Sequence, residues 1–169
     1  MFLKQALPGV LAVAGIVAIV ANPPSAKTED AQQLNGSYFV SVTLDTPLPP
    51  GITSAGPYSG LVTYNSNGTV IANEILPILT TSTLSEDHGG WQRLANGKFA
   101  VTFVKMASAG GVFELFIRNR ATVELSSDTN SFSGKFQTDF LDANHVALPG
   151  AVNGTLTGVR IPVEPYPGP

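Results

Sequence analysis

The chain has 169 residues, no cysteine and a formal net charge of −3 at pH 7. That length fits one domain after a targeting segment, and the missing cysteine excludes disulfides, zinc–thiolate sites, a thiol nucleophile and an acylated lipoprotein anchor. Mild acidity, scattered charges and the lack of any Lys/Arg cluster argue against nucleic acid and anionic membrane surfaces as partners.

The N-terminus has the pattern of an export signal. Lys4 precedes an apolar stretch over 6–20, and Ala21, Asn22, Pro23 and Pro24 then end any helix. Cleavage is expected after Ala21, with Ala26 as second choice, which makes 1–21 a signal peptide and the protein secreted or periplasmic. An uncleaved anchor is the alternative, but a span needs about 20 apolar residues, and this stretch is shorter and contains Pro8. The next stretch, 22–33, is polar and aperiodic, a flexible lead-in.

From there the chain is punctuated for strands. Asn-Gly occurs at 35–36, 67–68, 96–97 and 153–154, each time just before a strand-like run. Both residues tolerate the positive φ that tight antiparallel turns require. The runs are 37–44, 58–64, 69–74, 90–94, 98–106, 112–125, 131–141 and 154–161, rich in Val, Thr, Phe and Tyr. In the sixth, Phe113, Leu115, Ile117, Asn119, Ala121, Val123 and Leu125 share a face that only Asn119 interrupts, opposite a polar face carrying Phe116. In the seventh, Phe132, Phe136 and Phe140 share a face with Gly134 and Thr138. Such alternation puts one face inward and the other in water.

Between the runs, only 73–84 has helical character, as a short helix or lid interrupted by Pro77. The Pro-rich connection 45–57 is a stiff loop at the same barrel mouth, and the tail 162–169 is extended and unpacked. Eight or so antiparallel strands in one domain, 34–161, must manage their edges. Closure into a single β-barrel removes them, and the long run 112–125 suits tilted barrel strands; a two-sheet β-sandwich is the alternative.

Two segments carry a resemblance. His88-Gly89-Gly90-Trp91-Gln92-Arg93, followed by the run from Phe99 to Phe103, is one; Ser131-Phe132-Ser133-Gly134-Lys135-Phe136, leading to Gly154-Thr155-Leu156-Thr157-Gly158-Val159-Arg160-Ile161, is the other. Together they resemble uncharacterised, mostly secreted bacterial barrel proteins, which in turn look like the calycin and allene-oxide-cyclase type of eight-stranded barrel. Lipocalins place a G-x-W motif near the first strand and an arginine near the end. Gly36-Ser37-Tyr38 and Arg160 stand at those places, with tyrosine for tryptophan, so the resemblance implies a Tyr38–Arg160 stacking pair at the closed end.

The candidate chemistry is sparse. His88, beside Glu86 and Asp87, is either a general acid/base at the barrel mouth or a solvated turn residue. Trp91 and Arg93 fall on one strand face, as a pocket platform and anion clamp or as a core tryptophan with a surface partner. Glu74, Asn119, Gln137 and Asp139 are the polar groups expected at a mouth or in the interior, Asn119 foremost because a buried amide needs a partner. His145 reads as a turn residue, and no metal site is expected. The triplets Asn-x-Ser/Thr at Asn35, Asn67 and Asn153 coincide with the Asn-Gly turns, which explain them without glycans. No nucleophile elbow, phosphate loop or dinucleotide fingerprint is present, so no cofactor is expected.

The expected function is a secreted barrel holding a small, largely apolar molecule against Phe99, Val101, Phe103, Leu115, Ile117, Phe132, Phe136 and Phe140. A barrel filled by its own side chains is the alternative within that reading. A cofactor-free cyclase or isomerase using His88, Glu74 and Asn119 beside Trp91 and Arg93 is the second reading, as the allene-oxide-cyclase resemblance implies. A surface-associated structural protein, docking through a face that includes Phe116, is the third. A homodimer is a candidate assembly, and no membrane contact is expected after cleavage.

Overall fold

A computed structural model describes residues 33–48, 55–74, 82–166 and 168. The expected export segment and most of the expected lead-in, part of the Pro-rich loop and the middle of the expected helix lie outside these residues. The described chain forms strands β1 Gly36–Leu44, β2 Tyr58–Tyr64, β3 Thr69–Glu74, β4 Thr83–Leu84, β5 Asp87–Arg93, β6 Phe99–Ala109, β7 Val112–Leu125, β8 Ser131–Leu141 and β9 Val152–Arg160.

Every pairing is antiparallel. The order β6-β5-β3-β2-β1-β9-β8-β7 is closed by β6 pairing with β7, giving an eight-stranded barrel and removing the sandwich alternative. The ladder between the two closing strands is the most extensive in the described sheet, with one register shift between Ala107 and Ser108. Short β4 is a ninth strand. It pairs with β6 at Ser108 and Ala107, prolonging the edge that β5 occupies from Val104 back to Phe99. Of the segment 73–84 expected to hold a short helix or lid, the ends Asn73, Glu74, Thr83 and Leu84 are strand, and its middle lies outside the described residues.

Two of the four Asn-Gly pairs make hairpin turns. In each, the Gly N–H donates three residues back, from Gly68 to Asn65 O and from Gly97 to Leu94 O. The Asn side chain accepts the N–H two residues on, at Thr69 and Lys98, and the glycine takes φ 86° and 81°. This is the turn followed by a left-handed residue that three-residue hairpins use. The other two pairs are not turns. Gly36 opens β1 at φ 126° with the Arg160 guanidinium where a Cβ would stand, and Gly154 lies within β9, where the interior needs a missing side chain. A Cβ on Gly154 would stand 2.6 Å from the Phe136 ring, and one on Gly158 would stand 2.3 Å from the Phe132 ring. The inner face of β9 therefore alternates Val152, Gly154, Leu156 and Gly158, with β8 phenylalanines filling the gaps.

The inner faces divide the barrel into two ends. At one end Tyr38, Tyr64, Trp91, Phe99 and Phe132 interlock edge-to-face, with centroids 5.0 Å apart for Tyr38–Phe132 and 5.7 Å for Trp91–Phe99. Such rings contribute packing beyond their buried area, and Leu34 and Leu125 complete the plug. Arg160 lies across it with its guanidinium 4.8 Å from the Tyr38 ring centre. The guanidinium donates to Tyr38 Oη at 2.6 Å, Asn35 O at 2.6 Å and Thr129 O at 3.0 Å. The other end of the interior, where β3 and β6 finish, is where polar groups enter the wall.

The outer face carries the remaining charge. Asp139 and Gln137, expected at a mouth or inside, point outward because they alternate against inward Thr138 and Phe136. Asp139 accepts from Arg118 at 2.8 and 3.1 Å, and Arg120 reaches both Asp139 at 2.8 Å and Gln137 at 2.6 Å. Phe116 is half-buried, packed 4.9 Å from Phe113 and 5.1 Å from His145, so it is not the open docking face expected of it.

Candidate functional site

The interior site is built where the apolar alternation of four strands fails. Phe99, Val101 and Phe103 put the inner face of β6 on odd positions, and the next odd residue is Lys105, 2% exposed. On β5 the inward residue at the same level is Asp87, 0% exposed, and on β3 it is Glu74. On β7 it is Asn119, paired in register with Phe103 on one side and Thr138 on the other.

These groups make one polar cluster. Lys105 Nζ sits 2.8 Å from Asp87 Oδ2 and 3.9 Å from Glu74 Oε2. The approach to Asp87 is close but off the axis a hydrogen bond prefers, so it acts as an ion contact, and Asp87 Oδ1 has no hydrogen-bond partner among the described residues. Two carboxyl groups thus compete for one ammonium in a medium that penalises charge. Burial pushes Glu74 up to about 7 from its ordinary 4.5; Lys105 opposes that shift and Asp87 adds to it. Burial likewise raises Asp87, against Lys105 and His88. Burial also raises Tyr64, with Glu74 and Tyr38 adding to it.

Beside the cluster lies a cavity lined by Val42, Leu44, Phe103, Ala121, Phe136, Val152 and Leu156, with Glu74, Asn119 and Thr138 as its polar members. The cavity itself is small, about 20 Å³, enough for roughly one water. The Thr138 hydroxyl donates to Asn119 Oδ1 in a short contact. Asn119 Nδ2 has no acceptor among the described residues although Asn119 is only 4% exposed.

No family model, curated protein or solved structure matches this chain. The chemistry of the site therefore rests on its own residues. Among the described residues no three His, Asp or Glu side chains converge to hold a metal ion.

The structure brings together Glu74, Asn119, Phe103 and Phe136 of the expected site residues. Phe99, Val101 and Phe132 are buried in the core nearer the aromatic plug, and Ile117 is fully buried opposite Lys105. Leu115 and Phe140 are half-buried on inward positions. Trp91 belongs to the plug, its Nε1 donating to Asn65 O at 3.0 Å. Arg93 is exposed at the rim, 6.0 Å from the Phe99 ring centre. His88 is exposed on the outer face, because Asp87 takes the inward position; it does not share the interior with Glu74 and Asn119.

Lys105 and Asp87 are absent from the sequence-based set. Extending the odd-position alternation of β6 two residues past Phe103 would have placed Lys105 inside, and the matching carboxylate on the neighbouring strand would have followed.

Proposed function

We propose that this is an exported barrel protein that binds a small, largely apolar molecule at the Glu74 end of its interior. The observation that carries the reading is Asn119 Nδ2, a buried donor without an acceptor among the described residues, in the wall of a largely apolar cavity. Buried polar groups are ordinarily satisfied, and an exception calls for a role. Apolar walls with a few placed polar groups are the usual make-up of ligand sites, and a closed eight-stranded antiparallel barrel is consistent with the calycin-like resemblance. With room for about one water at its centre, the site takes a ligand by letting side chains at this end give way, so a small molecule is the fitting occupant.

Titration with toluene, followed by amide NMR shifts, tests this. Shifts are expected on β3, β7, β8 and β9 around the cavity, and Ala121→Leu, which adds atoms to the cavity wall, should weaken them at least tenfold. Shifts confined to the outer residues Phe39, Leu61 and Val159 would replace the reading with surface association. That second reading has its own support: Phe39 is 57%, Leu61 49% and Val159 60% exposed, and Phe39 pairs in register with both neighbours.

A further inference from the structure

The Asn119 amide turns its oxygen to Thr138. Thr138 commits its proton to Oδ1, which leaves Nδ2 as the free end of the side chain in the cavity wall. Across the same space stands Glu74, which in its protonated form is also a donor. Lys105 adds no free positive charge, since Asp87 lies 2.8 Å from its ammonium. The wall thus offers hydrogen-bond donors to a neutral acceptor, and an anion finds no unmatched cation among the described residues.

We propose that the ligand class of this cavity is an uncharged carbonyl compound with an apolar body, its oxygen accepting from Asn119 Nδ2 and from the Glu74 carboxyl. The inference rests on the binding reading above and sharpens it. A hydrocarbon of the same shape leaves Nδ2 unpaired, and a site built to hydrogen-bond discriminates strongly against such an analogue. A carboxylate would give up its hydration with no unmatched cation among the described residues to offset the loss. The carbonyl contact is also gated by pH. Glu74 faces Lys105 from β6 and Asp87 from β5, and Tyr64 of β2, in the plug, feels its charge. Once Glu74 ionises, above about 7, it no longer donates and sets a negative charge beside the ligand oxygen.

The test compares cyclohexanone with methylenecyclohexane, its C=CH2 counterpart, and with cyclohexanecarboxylate, by NMR titration at about pH 6 and about pH 8. At the lower pH the ketone is expected to bind at least tenfold tighter than the alkene, and the carboxylate weakest. Asn119→Leu should shrink the ketone's advantage over the alkene to what the Glu74 contact alone supplies. Glu74→Gln, which keeps a neutral donor at both pH values, should lose the weakening that the wild type shows at pH 8. Equal affinity of the wild type for ketone and alkene would overturn the carbonyl assignment and leave apolar binding standing. Preference for the carboxylate would overturn it as well. Binding of none of the three would remove both readings.

Discussion

The Arg160 guanidinium meets three acceptors that no other side chain could serve together. Asn35 O precedes β1, Thr129 O lies in the turn before β8, and Tyr38 Oη comes from inside the barrel. A planar fork with fixed donors spans them; a lysine ammonium at the same place reaches one at a time. Arg160→Lys is therefore expected to cost about 2 kcal/mol, the scale of lost hydrogen bonds to a charged group, with Arg160→Ala worse. Urea unfolding measures it, and a lysine variant within about 0.5 kcal/mol of wild type would show that charge alone holds this end. Single residues were legible where they broke a pattern. Asn119 stood out on an apolar strand face, and its interior place follows from that. Lys105 and Asp87 did not stand out, because a charged residue near a strand end reads as solvent-facing until closure of the barrel surrounds it. Burial of such a charge depends on a partner from another strand, and that pairing is a property of the topology.

Strands were more readable than the turns joining them. The runs 58–64, 69–74, 112–125 and 131–141 coincide with β2, β3, β7 and β8, since side-chain alternation and β-branched content are local signals. Asn-Gly was ambiguous because glycine serves two ends. At Gly68 and Gly97 it supplies a left-handed turn residue, whereas at Gly154 it vacates space for a ring from the next strand. The two roles respond differently to alanine. Gly97 has φ 81° and nothing within 4 Å of a new Cβ, so Gly97→Ala incurs only backbone strain, about 1–2 kcal/mol. In Gly154→Ala the Cβ would lie 2.3 Å from Thr43 O and 2.6 Å from the Phe136 ring, and an overpacked core costs roughly 3 kcal/mol or more in such a case. Thermal denaturation of the two variants ranks them, and a Gly97 variant less stable than the Gly154 variant would mean the ring can move aside freely. Short β4 had no local signature. Its two residues are strand only because β6 extends beyond β5 and leaves an edge to be paired.

At the scale of the whole barrel, the buried carboxyl groups link folding to pH. In the unfolded chain Glu74 titrates near 4.5, and in the folded barrel near 7. Below the first value both states hold the proton and pH has no leverage. Between the two, the unfolded chain releases a proton that the folded one retains, so stability falls as pH rises; above the second it levels off. The span corresponds to about 3 kcal/mol at 1.36 kcal/mol per unit, and Asp87, raised by the same burial, acts in the same direction. The urea midpoint is thus expected to be lower at pH 8 than at pH 5. Glu74→Gln should remove most of that difference, leaving the variant more stable than wild type at pH 8 and close to it at pH 5. A midpoint that holds steady or climbs over this range would mean that Glu74 stays ionised, paired with Lys105, in the folded barrel. A barrel selected for stability alone would carry an apolar residue at position 74. On the proposed reading Glu74 serves the ligand instead of the fold, and stability and ligand affinity are then expected to decline together over the same pH range.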